Sequence, residues 1–291
     1  MKSAVVSIIG RPSAGKSSLL NAMCGQKIAI TSPSPQTTRN AVRGILTAPA
    51  GQLLFLDTPG YHSSEKKFNH HLQQIAVNSL NDSDLILYVA DATRQPGEEE
   101  QQILSLLSRQ NTQIIGAVNK CDLPVAKPKI SHFAAAEMLG EIPIIRTSAA
   151  TGLGIQELID TLFSHAPEGD LLYPEEFYTD QSPEFRAAEL IREQVINRVT
   201  QEVPHAVYVE IADIETDEEK GMLWIRAFIN VERESQKGII VGKQGSMIRD
   251  VRKSSQKELA KVFGYSIKLD LRVKVQPKWR RQDAIVNKIV F

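Results

Sequence analysis

Residues 10–17 read Gly10-Arg11-Pro12-Ser13-Ala14-Gly15-Lys16-Ser17, between an apolar run, Ala4 to Ile9, and a helix-forming stretch, Ser17 to Ala22. This is the spacing G-x-x-x-x-G-K-[ST] in the strand–loop–helix setting that gives it meaning. Few features constrain a fold more tightly. A strand must feed a glycine-rich turn whose backbone N–H groups converge on an anion at a helix N-terminus, where the helix dipole adds a favourable field. Lys16 brings a point charge to the β- and γ-phosphates of a nucleotide, and the Ser17 hydroxyl is placed to ligate Mg²⁺. Ser13, Ala14, Gly15 and Ser18 complete the wrap around the phosphates.

Two more segments follow in order, each behind an apolar run. Asp57-Thr58-Pro59-Gly60 closes Leu53 to Leu56, so the Asp57 carboxylate sits at a strand's carboxyl edge, facing the metal. Gly60 lacks a side chain and can bring its N–H close to the γ-phosphate. Alone, these four residues would be an ordinary turn. Asn119-Lys120-Cys121-Asp122 follows Ile114 to Val118. A carboxylate accepts hydrogen bonds from guanine's ring N–H and exocyclic amine, a donor pair that adenine lacks, which makes Asp122 the specificity residue. Asn119 ties neighbouring loops together, and the Lys120 stem lies over the ring. Further on, Thr147 to Gly152 supplies Ser148 and an Ala149 N–H suited to the guanine carbonyl oxygen. Together these segments spell a Mg²⁺-dependent GTP/GDP switch.

Around the motifs, strand-like runs alternate with helical ones up to about His165, which predicts a mostly parallel sheet covered on both faces. The 291 residues are enough for roughly two domains. The expected boundaries are a nucleotide-binding domain over 1–165, a proline-bearing linker over 166–183, a second domain over 184–280 and a tail over 281–291. No apolar run approaches the ~20 residues of a membrane helix. The two cysteines, Cys24 and Cys121, lie in or beside nucleotide motifs, which fits a reducing, cytoplasmic setting better than a disulfide. The six histidines show no metal-binding spacing.

The formal net charge of zero hides a partition: −1 over residues 1–170, −10 over 171–219 and +11 over 220–291. A basic C-terminal segment on a neutral chain is the footprint of a nucleic-acid binder. Within it, Gly242-Lys243-Gln244-Gly245 forms a G-x-x-G loop between helical segments, in an α-β-β-α-GxxG-α-β order. In KH domains such a loop clamps about four nucleotides of single-stranded RNA. The following helix adds Arg249, Arg252, Lys253, Lys257 and Lys261. The fold class expected is therefore a P-loop NTPase of Ras-like type, with a doubly wound sheet, followed by a smaller α+β KH domain of type II.

From residue 1 to about 280 the chain resembles the Era GTPases. The most specific stretches are Gln36-Thr37-Thr38-Arg39-Asn40, the two motifs around Asp57 and Asn119, and Glu232 to Gly245. The resemblance implies a GTPase that assists assembly of the small (30S) ribosomal subunit, its KH domain gripping the single-stranded 3′ end of 16S ribosomal RNA. It also implies a cytoplasmic, monomeric protein with some peripheral association with the inner membrane. By the same resemblance Thr38 becomes a Mg²⁺ ligand when the γ-phosphate is present, with Thr37 the competing candidate. Lys16, Thr38 and Gly60 are then the residues expected at the reacting phosphate.

Two positions depart from common patterns. Tyr61 stands where many switch GTPases carry a water-orienting glutamine. Ser13 replaces the asparagine of most relatives, a residue tied in this broader class to activation by a monovalent cation. A metabolic P-loop transferase and a pure RNA-binding module with a degenerate nucleotide fold are the rival readings. The Asn119–Asp122 motif opposes the first. Intact Lys16, Ser17, Asp57 and Asp122 oppose the second.

Overall fold

The computed structural model describes residues 1–33, 37–60, 74, 77–200, 203–282 and 284–286. Two compact units divide the chain, one made almost entirely of the residues up to Asp180 and the other mostly of those from Gln181 onward. The first holds one sheet of β1 (Lys2–Ile9), β2 (Val42–Ala48), β3 (Gly51–Asp57), β4 (Leu85–Asp91), β5 (Gln113–Asn119) and β6 (Ile144–Arg146), in the order β2-β3-β1-β4-β5-β6. All neighbours are parallel except β2, which runs antiparallel to β3. Every position of β3 and β4 is buried, as strands covered on both faces require.

Among the helices beside this sheet are α1 (Lys16–Cys24), α2 (Glu98–Leu107), α3 (Pro128–Leu139) and α4 (Ile155–His165). Ile86, Tyr88 and Ala90 of β4 gather with Ile103, Leu104 and Leu107 of α2 and Ala135 of α3. Meanwhile α1 packs on β3 and on α4, which in turn lies against β5. Each such buried aliphatic side chain contributes about 1.5–3 kcal/mol. The order reverses between β1 and β4, so the carboxyl ends of β1, β3, β4 and β5 open a crevice at the topological switch point. Ile9, Asp57, Asp91 and Asn119 are the residues that end those strands. Gln36, Tyr61 and three of the six histidines, His62, His70 and His71, lie outside the described residues.

The segment expected to be a linker is laid against the first unit as far as Asp180. The buried Gln52 is its clasp: Oε1 accepts from the Leu172 and Tyr173 N–H groups at 2.8 and 2.9 Å, and Nε2 donates to the Tyr173 carbonyl at 2.9 Å. Further on, the Ile45 N–H donates to the Tyr178 carbonyl at 2.9 Å, which covers part of edge strand β2. Backbone groups and Tyr173 do the anchoring; Leu172 and Phe177 stay exposed.

The second unit contains α5 (Pro183–Ile196), α6 (Val203–Ala206), β7 (Tyr208–Asp217), β8 (Met222–Val231), α7 (Glu234–Val241), α8 (Ser246–Phe263) and β9 (Ser266–Val275). Central strand β8 is antiparallel to β7 and parallel to β9. It alternates as a one-sided sheet should. Leu223, Ile225, Ala227 and Ile229 join Leu190, Ile191 and Val195 of α5 and Val251 and Leu259 of α8 in one core. Helix α5 starts where Ser182 accepts from the Phe185 N–H at 3.2 Å, with proline next in line.

Two features are not evident from composition. Strand β7 continues through Glu215 and Asp217, the first half of an acidic stretch, Glu215 to Lys220, that resembles a hairpin loop, and the turn is confined to residues 218–221. Its acids find local partners: Asp213 with Arg226, Asp217 with Lys220 and Glu218 with the Tyr265 hydroxyl. Trp279, next to the expected end of the second domain, is fully buried. Its ring N–H donates to the Ala206 carbonyl at 2.8 Å, and its ring packs edge-on against Tyr208.

Candidate guanine-nucleotide site and RNA interface

Three side chains from separate elements converge at the phosphate end. Asp57 Oδ2 accepts from the Ser17 hydroxyl at 2.6 Å and from the Thr38 hydroxyl at 3.3 Å, and the two hydroxyl oxygens lie 2.9 Å apart. Asp57 is fully buried, and among the described residues its Oδ1 has no hydrogen-bond partner. Burial pushes the Asp57 carboxyl up and the Lys16 ammonium down, and the attraction between them holds both shifts back. An orphaned buried carboxylate oxygen beside two hydroxyls is a donor set suited to a hard divalent cation. The residues present therefore fit Mg²⁺.

Lys16 Nζ donates to the Gly10 and Arg11 carbonyls at 3.1 and 3.2 Å. The loop is thus wound around its own ammonium group. Ser13 takes a left-handed φ of 62°, and Gly15 caps α1 at φ 93°. Ala14 is buried, and Ser18 lies in the first turn of α1. Gly60 is packed so closely that an added Cβ would lie 2.8 Å from the Pro12 backbone, so glycine is required there by space alone.

At the base end, Asn119 Nδ2 donates to the Ala14 carbonyl at 3.0 Å, and its Oδ1 accepts from the Ala149 N–H at 3.2 Å. The sequence reading reserved that Ala149 N–H for guanine; in the structure it is already engaged, because Asn119 bridges the two loops. Lys120 Nζ reaches the Ser13 carbonyl and Asp91 Oδ2, each at 2.7 Å, so its ammonium is an anchor between loops as well as the tip of a stem. Asp122 is exposed at the rim. Ser148 is buried, with its Oγ accepting from the Thr151 N–H at 3.2 Å.

Asp91 was not singled out from sequence. Burial raises its carboxyl pKa, and Lys120 and Thr93 more than offset this, leaving it below the usual carboxylate range. A signal for it exists: β3, β4 and β5 are each an apolar run ending in Asp or Asn, and Asp91 pairs in register with Asn119.

In the second unit, Gly242 to Gly245 form the short turn between α7 and α8. Gly242 has φ 73°, and an added Cβ would meet the Met247 Cβ at 2.6 Å and its backbone N at 2.9 Å. Lys243 and Gln244 are exposed at the tip, with Gln244 at a left-handed φ of 52°. Arg249, Arg252, Lys253, Lys257 and Lys261 are all exposed along α8. Positions 249, 252, 253 and 257 share one helix face, a basic stripe leading away from the loop. Among the described residues, no cluster of His, Cys, Asp and Glu could hold a metal ion, and no helix is long and apolar enough to cross a membrane.

Comparison with known proteins matches both halves. Residues 5–120 match the family described as 50S ribosome-binding GTPase, and residues 202–280 match the KH domain family. The GTPase Era of Treponema denticola is 47% identical over 295 residues, covering all of both chains. That of Borreliella burgdorferi is 42% identical over 291 residues, again with full coverage of each. A crystal structure of Era in complex with MgGDPNP and nucleotides 1506–1542 of 16S ribosomal RNA superposes with a TM-score of 0.93 at 34% identity, covering 99% of this chain and 98% of that one. A variant of Aquifex aeolicus Era bound to GDP·AlF4⁻ gives a TM-score of 0.91 at 34% identity and the same coverage. With the nucleotide motifs and the RNA-binding motif matched in one order from end to end, this chain belongs to the Era family of GTPases.

Proposed function

We propose that the protein binds and slowly hydrolyses GTP, and that it grips the single-stranded 3′ region of 16S ribosomal RNA during assembly of the 30S subunit. The nucleotide-binding domain spans 1–165 and the RNA-binding KH domain 184–280, joined by residues 166–183. The observation that carries the catalytic half is the buried Asp57 Oδ1, without a partner among the described residues, beside the Ser17 and Thr38 hydroxyls. Ser17, Thr38 and Asp57 would hold Mg²⁺, which neutralises charge on the β- and γ-phosphate oxygens.

The chain's own groups do the rest. The N–H groups of Ser13 to Ser18 wrap the phosphates. Lys16 exchanges the Gly10 and Arg11 carbonyls for phosphate oxygens, regaining a full counter-charge for its desolvated ammonium. Gly60 presents its N–H to the γ-phosphate, and Thr38 closes the first switch only when that phosphate is there. Asp122 selects guanine, Asn119 and Lys120 brace its loop, and Ser148 and Ala149 close the base side. No water-orienting glutamine follows Gly60 in the sequence, so hydrolysis by the isolated protein is slow.

For the RNA half, Gly242 to Gly245 lets phosphates approach the backbone, and Arg249, Arg252 and Lys253 neutralise them. The full-length likeness to an Era bound to nucleotides 1506–1542 of 16S ribosomal RNA supports this assignment. We place the protein in the cytoplasm as a monomer, with peripheral contact to the inner membrane. Cross-linking in cell extract followed by sequencing of the attached RNA tests the reading. Reads concentrated at the 3′ end of the small-subunit RNA are expected; reads spread over unrelated transcripts would overturn it.

A further inference from the structure

All five carbonyls of the loop from Gly10 to Ala14 are held by side-chain donors. Lys16 takes Gly10 and Arg11, Lys120 takes Ser13, and Asn119 takes Ala14. The fifth, Pro12, accepts from Arg94 Nη1 at 3.3 Å. The Ala14 N–H also turns inward to the Arg11 carbonyl at 3.2 Å, and once Lys16 moves to a phosphate the Pro12, Ser13 and Ala14 carbonyls are still held by Arg94, Lys120 and Asn119. Of these holders, Arg94 alone lies outside the nucleotide motifs. It sits in the turn between β4 and α2, three residues beyond Asp91, with its side chain 45% exposed and Glu99 at 3.9 Å.

The contact is reciprocal. Arg11, inside the phosphate loop, sends Nη1 back to the Gln95 carbonyl at 3.2 Å. Its Nε pairs with Glu100 Oε2 at 2.6 Å, and Glu100 Oε1 accepts from the Tyr88 hydroxyl at 2.5 Å. The Arg11 and Glu100 side chains are 4% and 3% exposed, so one half of the clasp is a buried ion pair and the other half is near the surface.

We propose that Arg94 is a positioning residue for GTP hydrolysis, holding the γ-phosphate end of the loop through the Pro12 carbonyl while Arg11 locks the same turn from beneath. Pro12 is the residue against which Gly60 packs with no room for a Cβ. Displacing Pro12 therefore displaces the Gly60 N–H. The diphosphate makes no use of that group; the reacting γ-phosphate does. The clasp thus acts on turnover of GTP more than on binding of GDP, and it works by hydrogen bonding to a carbonyl rather than by charge on the substrate.

The inference rests on the GTP-hydrolysing reading above, and one set of assays separates the two. Single-turnover GTP hydrolysis with saturating Mg²⁺, GDP affinity and thermal midpoint are measured on the full chain and on Arg94→Ala, Arg94→Lys and Arg94→Gln. Loss of one hydrogen bond from a charged donor predicts hydrolysis slower by about tenfold in Arg94→Ala. GDP affinity should stay within twofold and the melting temperature should not move. Lysine and glutamine, which both still offer a donor to the carbonyl, should restore most of the rate. Unchanged hydrolysis in Arg94→Ala overturns the inference. So does glutamine as slow as alanine, which would assign the role to charge, or an equal loss of GDP affinity. No hydrolysis by the unaltered protein would instead refute the GTPase reading itself.

Discussion

Replacing Asn119 with alanine removes the side chain that ties the base-recognition loop to the phosphate loop. Asn119 is 2% exposed, donates to the Ala14 carbonyl at 3.0 Å and accepts from the Ala149 N–H at 3.2 Å. Its 3.5 Å approach to the Thr147 hydroxyl is too long to add much. Truncation leaves two polar backbone groups without partners, at about 1–3 kcal/mol each. Ala14 is fully buried and bears a full penalty, while Ala149 is only half-buried and can recruit water. A total of roughly 2–4 kcal/mol follows, equivalent to about a 30- to 900-fold loss of nucleotide affinity. GDP and GTP analogues should suffer alike, because the tie lies between the base and the β-phosphate rather than at the γ-phosphate. Calorimetric titration of Asn119→Ala with GDP measures it. A dissociation constant within threefold of the unaltered protein's, at an unchanged melting temperature, would refute the bridge.

Asp122→Asn should lose GTP at least tenfold and gain xanthosine triphosphate, since the donor–acceptor pattern at the base inverts; competition binding with both nucleotides and ATP checks this, and equal affinity of the unaltered protein for ATP and GTP would sink the assignment. Ser13 occupies a left-handed conformation that asparagine adopts more readily, and its shorter side chain reaches less far, so hydrolysis should differ little between potassium and sodium chloride and become potassium-stimulated in Ser13→Asn. Aspartates at both Lys243 and Gln244 should weaken single-stranded RNA binding and flatten its salt dependence, with a slope of about −0.7 lost per phosphate contact, while GTP hydrolysis stays intact.

Much of the nucleotide site was legible because its chemistry is local. Lys16, Ser17, Asp57, Asn119 and Asp122 each follow or end an apolar strand, so motif and fold position coincide. The groups that hold those motifs in place were not legible. Asp91, Arg94 and Glu100 lie in an ordinary strand end, turn and helix start, and their roles exist only once β4 is placed between β1 and β5. Thr38 could not be separated from Thr37 by spacing; the structure brings the Thr38 hydroxyl to 2.9 Å from Ser17. The linker's Leu171, Leu172, Tyr173 and Phe177 signal packing, and Tyr173 does pack, but Leu172 and Phe177 stay exposed and the buried Gln52 makes the clasp. A single glutamine in an apolar strand reads as a blemish until the backbone it satisfies comes from 120 residues away. In the second unit, the alternation of Val207 to Ile211 revealed the start of β7, while its far end was hidden because the acids from Glu215 onward resemble a hairpin loop.

One chain joins a guanine-nucleotide switch to an RNA clamp, and a switch that acts through the clamp must change its grip on RNA with nucleotide state. The most direct test is the affinity of the full chain for a single-stranded oligoribonucleotide carrying the 3′-terminal 16S sequence, measured with a non-hydrolysable GTP analogue, with GDP and without nucleotide. Order in the Thr38 switch only with the γ-phosphate present predicts the tightest binding with the analogue, at least fivefold over GDP, the lower end of ordinary coupling energies. Equal affinity under all three conditions would contradict the claim.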